Sequence, residues 1–226
     1  MEKKFELTKK YVVNEFGAKL YQIKCTKTFE YAKEGELGGY IEREVNLSQE
    51  GAAWVYGNAQ VSGNAWVYGD ARVLGNAQVY GNAEVSGNAW VSGNARVYDD
   101  ARVFGNARVY GNAEVLGDAR VFGNARVLGD AWVYGNAWVF GNARVFGDAW
   151  VYGNAWVSGN ARVYGNALVF GNARVYGNAL VFGNARVFGN ARVYGDACLK
   201  SDADHCGFDC FGSSNRHTHT RLSDRG

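Results

Sequence analysis

Residues 119–136 read Ala-Arg-Val-Phe-Gly-Asn, Ala-Arg-Val-Leu-Gly-Asp, Ala-Trp-Val-Tyr-Gly-Asn. These are three copies of one six-residue unit, A-x-V-x-G-N/D. The unit runs without a break from Ala53. Val55 begins a series of 24 valines spaced six apart that ends at Val193, and Leu199 takes the next place. Glycine follows each valine by two residues, with Asp99 the single exception, and Asn or Asp comes after it. A period of six cannot be helical, because successive valines would be turned by about 240° around the axis. Alternation within A-x-V-x has the strand period of two and puts Ala and Val on one face. Gly-Asn then supplies a corner, both residues being tolerant of left-handed backbone. Short strands with regular corners coil into a solenoid with Ala and Val inside.

Outward from the repeat, Ile41 and Leu47 are also six apart and read as its first rungs, with Gly39 and Val45 at the inward small positions. Val55 is eight after Leu47, which predicts a two-residue bulge near Gln49–Gly51. Residues 3–7 and 19–26 alternate apolar and polar and are expected to pair as a hairpin. The organisation expected is an N-terminal hairpin cap over 1–40, the repeat over 41–199 and a short C-terminal cap or tail over 200–226. Such a cap covers an otherwise sticky sheet end.

A small residue, a spacer, an aliphatic residue and then Asn or Asp resembles the hexapeptide repeat of left-handed parallel β-helices. The resemblance implies an all-β, single-stranded, left-handed β-solenoid. Its triangular coils take three hexads each, a period of 18, which gives about eight regular coils plus the N-terminal rungs. It departs from that family in one respect, carrying Tyr or Phe where Gly is common after the aliphatic residue. Leu20-Tyr21-Gln22-Ile23, Gly35-Glu36-Leu37-Gly38-Gly39-Tyr40-Ile41 and Asn46-Leu47-Ser48-Gln49-Glu50-Gly51 resemble the lead-in of YdcK-like hexapeptide-repeat proteins of bacteria and phages. Ser201-Asp202-Ala203-Asp204 with Gly212-Ser213-Ser214 resembles a cap that follows such repeats.

Composition excludes several classes. The chain has 226 residues, no proline, 47% hydrophobic and 15% aromatic residues, which excludes collagen and argues against disorder. No apolar run is long enough to span a bilayer, so no membrane partner is expected. Met1-Glu2-Lys3-Lys4-Phe5-Glu6 has no apolar core of a secretory signal, so a cytoplasmic location is expected and Cys25, Cys198, Cys206 and Cys210 are read as free thiols. Lys plus Arg (24) nearly balances Asp plus Glu (22), and no segment is a basic arm, which disfavours nucleic acid as a partner.

The candidate surfaces follow from the period of 18. One column stacks Arg108, Arg126, Arg144 and Arg162, either an anion-binding ladder or a column relieved by the rings of Tyr110, Phe146 and Tyr164 on the same strands. Trp132 stacks with Trp150 and Trp138 with Trp156 on either side of one corner, a surface for a flat ligand, a sugar or a protein, or else lateral support for the sheet. Glu84 with Arg102 and Arg96 with Glu114 read as surface ion pairs. Asp130 with Asp148 and Asp100 with Asp118 read as turn residues, with a cation site as the alternative. Cys206, Cys210, His217 and His219 form a weak zinc candidate of unrecognised spacing. No catalytic residue and no cofactor is assigned. The function expected is a non-catalytic scaffold that self-associates, as a homo-oligomer such as a trimer, or binds another protein. The alternative is an acyl-CoA-dependent acyltransferase, as many hexapeptide-repeat proteins are, with His205, His217 or His219 as the base.

Overall fold

The computed structural model describes residues 2–200, 205–207 and 209–212. It is an all-β parallel solenoid of about nine turns, with three hexads to the turn and no α-helix among the described residues. Each hexad contributes one short strand to one of three parallel sheets. Face A carries the outward residues Gln60, Gln78, Arg96, Glu114, Trp132, Trp150, Leu168 and Arg186. Face B carries Trp54, Arg72, Trp90, Arg108, Arg126, Arg144, Arg162, Leu180 and Cys198. Face C carries Trp66, Glu84, Arg102, Arg120, Trp138, Trp156, Arg174 and Arg192. Every valine of the series from Val55 to Val193 pairs with a valine three hexads away in its own sheet and is wholly buried with the alanines. A shared hydrophobic column is thus continued by each added turn.

The corners divide labour in a way the composition does not announce. Among the described residues left-handed backbone is confined to glycine, apart from Asp99 (φ 58°) in the one hexad without it. At Gly111 φ is +78°, and a Cβ there would lie 2.9 Å from the Gly129 nitrogen of the next turn. Asn is therefore not selected for left-handed backbone, as the sequence suggested. Its side chain builds a ladder instead. Asn106, Asn124, Asn142, Asn160 and Asn178 each donate Nδ2–H to Oδ1 of the residue one turn on, over 3.0–3.2 Å, and the run ends on Asp196. All three corners carry such ladders, and all donate in the same chain direction. An Asp accepts but cannot donate, so the ladder stops wherever one stands. Asn112 donates to Asp130 and Asn82 to Asp100, and among the described residues no side-chain bond runs on from either.

The N-terminal end is closed by β1 (Phe5–Val13), β2 (Lys19–Cys25) and β3 (Leu37–Ile41). β1 and β2 pair antiparallel around a turn in which Asn14 Oδ1 accepts from the amides of Phe16 and Ala18. β3 pairs antiparallel with β2 and parallel with the strand of Gln60–Val61, so it joins hairpin to solenoid. Ile41 pairs with Val61 and Leu47 with Val67, each a separation of 20, whereas Val55 pairs with Val73 at 18. The two extra residues expected before Val55 are there. Val45 departs from expectation. It lies in a 3-10 turn, Glu44–Asn46, and is 68% exposed. The inward place is filled by Asn46, whose Nδ2 donates to the Gly63 and Ala65 carbonyls while Oδ1 accepts from the Arg43 amide.

Lys4 completes the cap. In the regular rungs an Ala carbonyl accepts from an amide of the preceding turn, as Ala71 does from Trp54. Ala53 has the Lys4 ammonium instead, with Nζ 2.9 Å from its oxygen and 3.3 Å from that of Gly51. Lys4 is 1% exposed, and burial pushes its ammonium down to about 8, while the Cys25 and Asp70 charges pull the other way.

At the far end the strand His205–Cys206 continues face A and Cys210–Gly212 continues face C. Cys206 and Cys210 take inward positions opposite Val187 and Val193 and are joined as a disulfide. This corrects the reading of both as free thiols: the hexad between them has shortened to four residues, which brings their Cα atoms to 6.7 Å across a corner. Cys25 and Cys198 are free, Cys25 being buried.

Candidate functional site

The four arginines of face B do form one column. Arg108, Arg126, Arg144 and Arg162 are paired in register one turn apart. Here the strands lengthen from two residues to four, Arg108–Gly111, Arg126–Gly129, Arg144–Gly147 and Arg162–Gly165, so the column stands on the most extended part of the sheet. Arg108, Arg144 and Arg162 are exposed. Their relief differs from expectation. Arg108 lies over the ring of Trp90, one turn back in its own column, at 5.4 Å. The rings on the same strands stack on one another instead, Phe146 on Tyr164 at 4.7 Å and Tyr164 on Phe182 at 4.9 Å. Among the described residues no carboxylate lies within 4 Å of the four guanidinium groups.

The tryptophans pair as the period of 18 requires. Trp132 and Trp150 stack on face A at 5.5 Å with 17° between planes. Trp138 and Trp156 stack on face C at 5.1 Å and 7°. The two stacks flank the Gly135–Asn136 corner. Each second ring also meets its neighbour edge-on, Tyr134 against Trp150 at 6.3 Å and Phe140 against Trp156 at 6.2 Å. Offset and edge-on packing is what ring quadrupoles favour, so the sheet fixes these rings in place. Trp150 remains 40% exposed.

Of the two expected ion pairs, Glu84 and Arg102 lie 3.6 Å apart. Arg96 and Glu114 are register partners, but the Glu114 carboxylate accepts from the Tyr98 hydroxyl at 2.8 Å. That acceptor, with burial as the larger cause, pushes the Tyr98 phenol well above its usual range. Asp130 and Asp148, like Asp100 and Asp118, occupy corners one turn apart, and the first of each pair ends an asparagine ladder, Asp130 accepting from Asn112 and Asp100 from Asn82. Of the zinc candidate, Cys206 and Cys210 are bonded to each other, and His217 and His219 lie outside the described residues. Among the described residues no group of three or more His, Cys, Asp or Glu is placed to hold a metal ion. The backbone of His205, one of the candidate bases, pairs with Arg186. No helix among the described residues is long and apolar enough to cross a membrane.

Two features were missed in the sequence. Lys4 looks like any lysine of a charged N-terminus, and nothing local marks it as the donor that closes the first turn. The second is a gap. On face C the residues after each valine stack Phe104, Phe122 and Phe140 at 4.9 and 5.0 Å, then resume with Tyr176 on Tyr194 at 5.3 Å. Ser158 stands between, where a ring is missing. The signal was present in the sequence as a serine at Ser158, one of two in an otherwise aromatic column with Ser86, visible only once the column is read with the period of 18.

Among known families, the one described as YdcK Beta solenoid repeat matches residues 53–69, 77–93, 95–111, 101–117, 119–135, 137–153, 155–171, 161–174, 173–187 and 185–199, together more than half of the chain. No curated protein matches it.

Proposed function

The chain belongs to the YdcK beta-solenoid repeat family, and from that premise we propose that it acts as a rigid, non-catalytic scaffold whose aromatic and arginine columns serve association, first with further copies of itself. The observation that carries this reading is the double tryptophan stack beside the Gly135–Asn136 corner. Large rings already fixed by a sheet lose little freedom when a partner covers them, and such rings dominate interface energetics. The arginine column adds a second, charged surface to the same rod.

Size-exclusion chromatography with light scattering tests the proposal. The parent should run as a defined homo-oligomer, a trimer among the closed arrangements. Replacing Trp132, Trp138, Trp150 and Trp156 with Ser should give a folded monomer with an unchanged β spectrum. A parent that stays monomeric at high concentration overturns self-association. A variant that fails to fold makes the rings structural rather than adhesive. The acyltransferase alternative is separated by a thermal melt with millimolar acetyl-CoA, where a specific rise in melting temperature would favour it.

A further inference from the structure

The missing ring at Ser158 opens a slot on face C. Turns are about 4.8 Å apart, so the rings of Phe140 and Tyr176 stand about 10 Å apart with room for one flat ring between them. The slot belongs to a groove of about 250 Å³ lined by Phe140, Trp156, Ser158, Arg174, Tyr176 and Arg192. Face C contains a built-in comparison. Ser86 leaves the same kind of gap between Tyr68 and Phe104, but that gap is closed. Trp66 stacks on Tyr68 at 4.0 Å, Glu84 and Arg102 pair across the two turns, and Ser86 is buried. At Ser158 the matching positions hold Trp156 and Arg174, which meet as ring and guanidinium and form no ion pair, and the serine stays half-buried.

The mouth of the slot is cationic. Arg174 and Arg192 are register partners one turn apart, and both are exposed. Arg174 lies over the Trp156 ring at 4.7 Å, which holds its guanidinium beside the slot. Among the described residues no carboxylate lies within 4 Å of either. Asp196, at the corner of the Arg192 turn, accepts from Asn178. Two neighbouring cations without an acid partner, beside a gap one ring thick, ask for one kind of molecule. We propose that the slot binds a planar aromatic carboxylate, its ring continuing the stack between Phe140 and Tyr176 and its carboxylate held by Arg174 and Arg192. Ring stacking supplies the flat contact, and the guanidinium fork suits a carboxylate.

The probe is 2-naphthoate, titrated into the full chain by calorimetry. Saturable 1:1 binding is expected in the sub-millimolar range, with 2-naphthol at least about tenfold weaker for want of the charge. Ser158→Tyr restores the ring that other turns carry, so it should fold, melt no lower than the parent and lose binding by at least about tenfold. The double variant Arg174→Gln and Arg192→Gln should lose a similar factor and carries the test should Ser158→Tyr misfold. Ser92→Tyr, the same change on face B, should leave binding unchanged. The proposal falls if 2-naphthoate does not saturate, if 2-naphthol binds equally well, or if Ser158→Tyr binds like the parent. It also falls if Ser158→Tyr lowers the oligomeric mass, because the slot then holds a ring of a second copy. The tryptophan-to-serine test reads mass and fold but not 2-naphthoate binding, so the two readings fail separately.

Discussion

Replacing Lys4 with Met removes the cation that closes the first turn, and the effect should depend on pH in a calculable way. Burial brings the Lys4 ammonium from 10.5 in the unfolded chain to about 8 in the folded one. A folded value below the unfolded one means that stability is lowest when both states are protonated, below pH 8. Between pH 8 and 10.5 the folded chain releases its proton first, and stability rises by about 1.4 kcal/mol per pH unit, about 3 kcal/mol in all. The methionine variant has no such rise. It also leaves the Ala53 carbonyl without its 2.9 Å donor, a cost of about 1–3 kcal/mol at any pH. The difference in unfolding free energy, parent minus variant, should therefore grow by about 3 kcal/mol from pH 7.5 to 10.5. Measuring it by urea unfolding in a Cys25→Ser background removes the thiol that couples to Lys4, and the tyrosines cancel in the difference. A difference that stays flat or shrinks over that window would refute the capping role.

Three further outcomes follow from the corners and rings. Asp130→Asn gives the corner a donor toward Asp148 and removes a like-charged neighbour, so it should stabilise by about 0.5–1.5 kcal/mol in urea unfolding. Gly111→Ala combines a φ of +78° with a Cβ 2.9 Å from the next turn, so it should cost at least about 1–2 kcal/mol and lower the melting temperature. Burial raises the phenols of Tyr31 and Tyr134, those of Tyr56 and Tyr80 to about 12, and that of Tyr98 further still. A raised folded value means stability is intact below pH 10 and lost as pH climbs through the folded values, so the urea midpoint should fall steeply between pH 10 and 11.5.

The solenoid was legible because its period is written in every hexad. Ala and Val face one side, Gly turns the corner, and three hexads later the same types recur on the same face. The stacking of Trp132 on Trp150, and of Arg108 through Arg162, follows from that arithmetic alone. What stayed hidden depends on partners far apart in sequence or on local competition. Asn124 gives no sign that it bonds across turns rather than bending its own backbone. Val45 satisfies the pattern yet is displaced by Asn46, because an amide can satisfy the carbonyls of Gly63 and Ala65 and a valine cannot. Cys206 and Cys210 break the hexad by two residues, which is also what brings them together. The relief of Arg108 by Trp90 runs along the column rather than along the strand, and pairing on the strand was the wrong direction to look.

Three hexads make one turn, and this has a consequence for insertions and deletions. Losing a single hexad would leave every contact type intact, since the units are interchangeable inside. Outside, it would rotate everything downstream by one face. Deleting residues 119–124 would shift Arg126, Arg144 and Arg162 off the axis of Arg108, split the guanidinium column between two sheets and leave the rod almost as stable. Only losses or gains of three hexads together keep the surface address of each side chain. The interior thus tolerates slips of six, while the exterior reads the chain modulo 18, so length can change freely only in whole turns if the columns are what the protein uses.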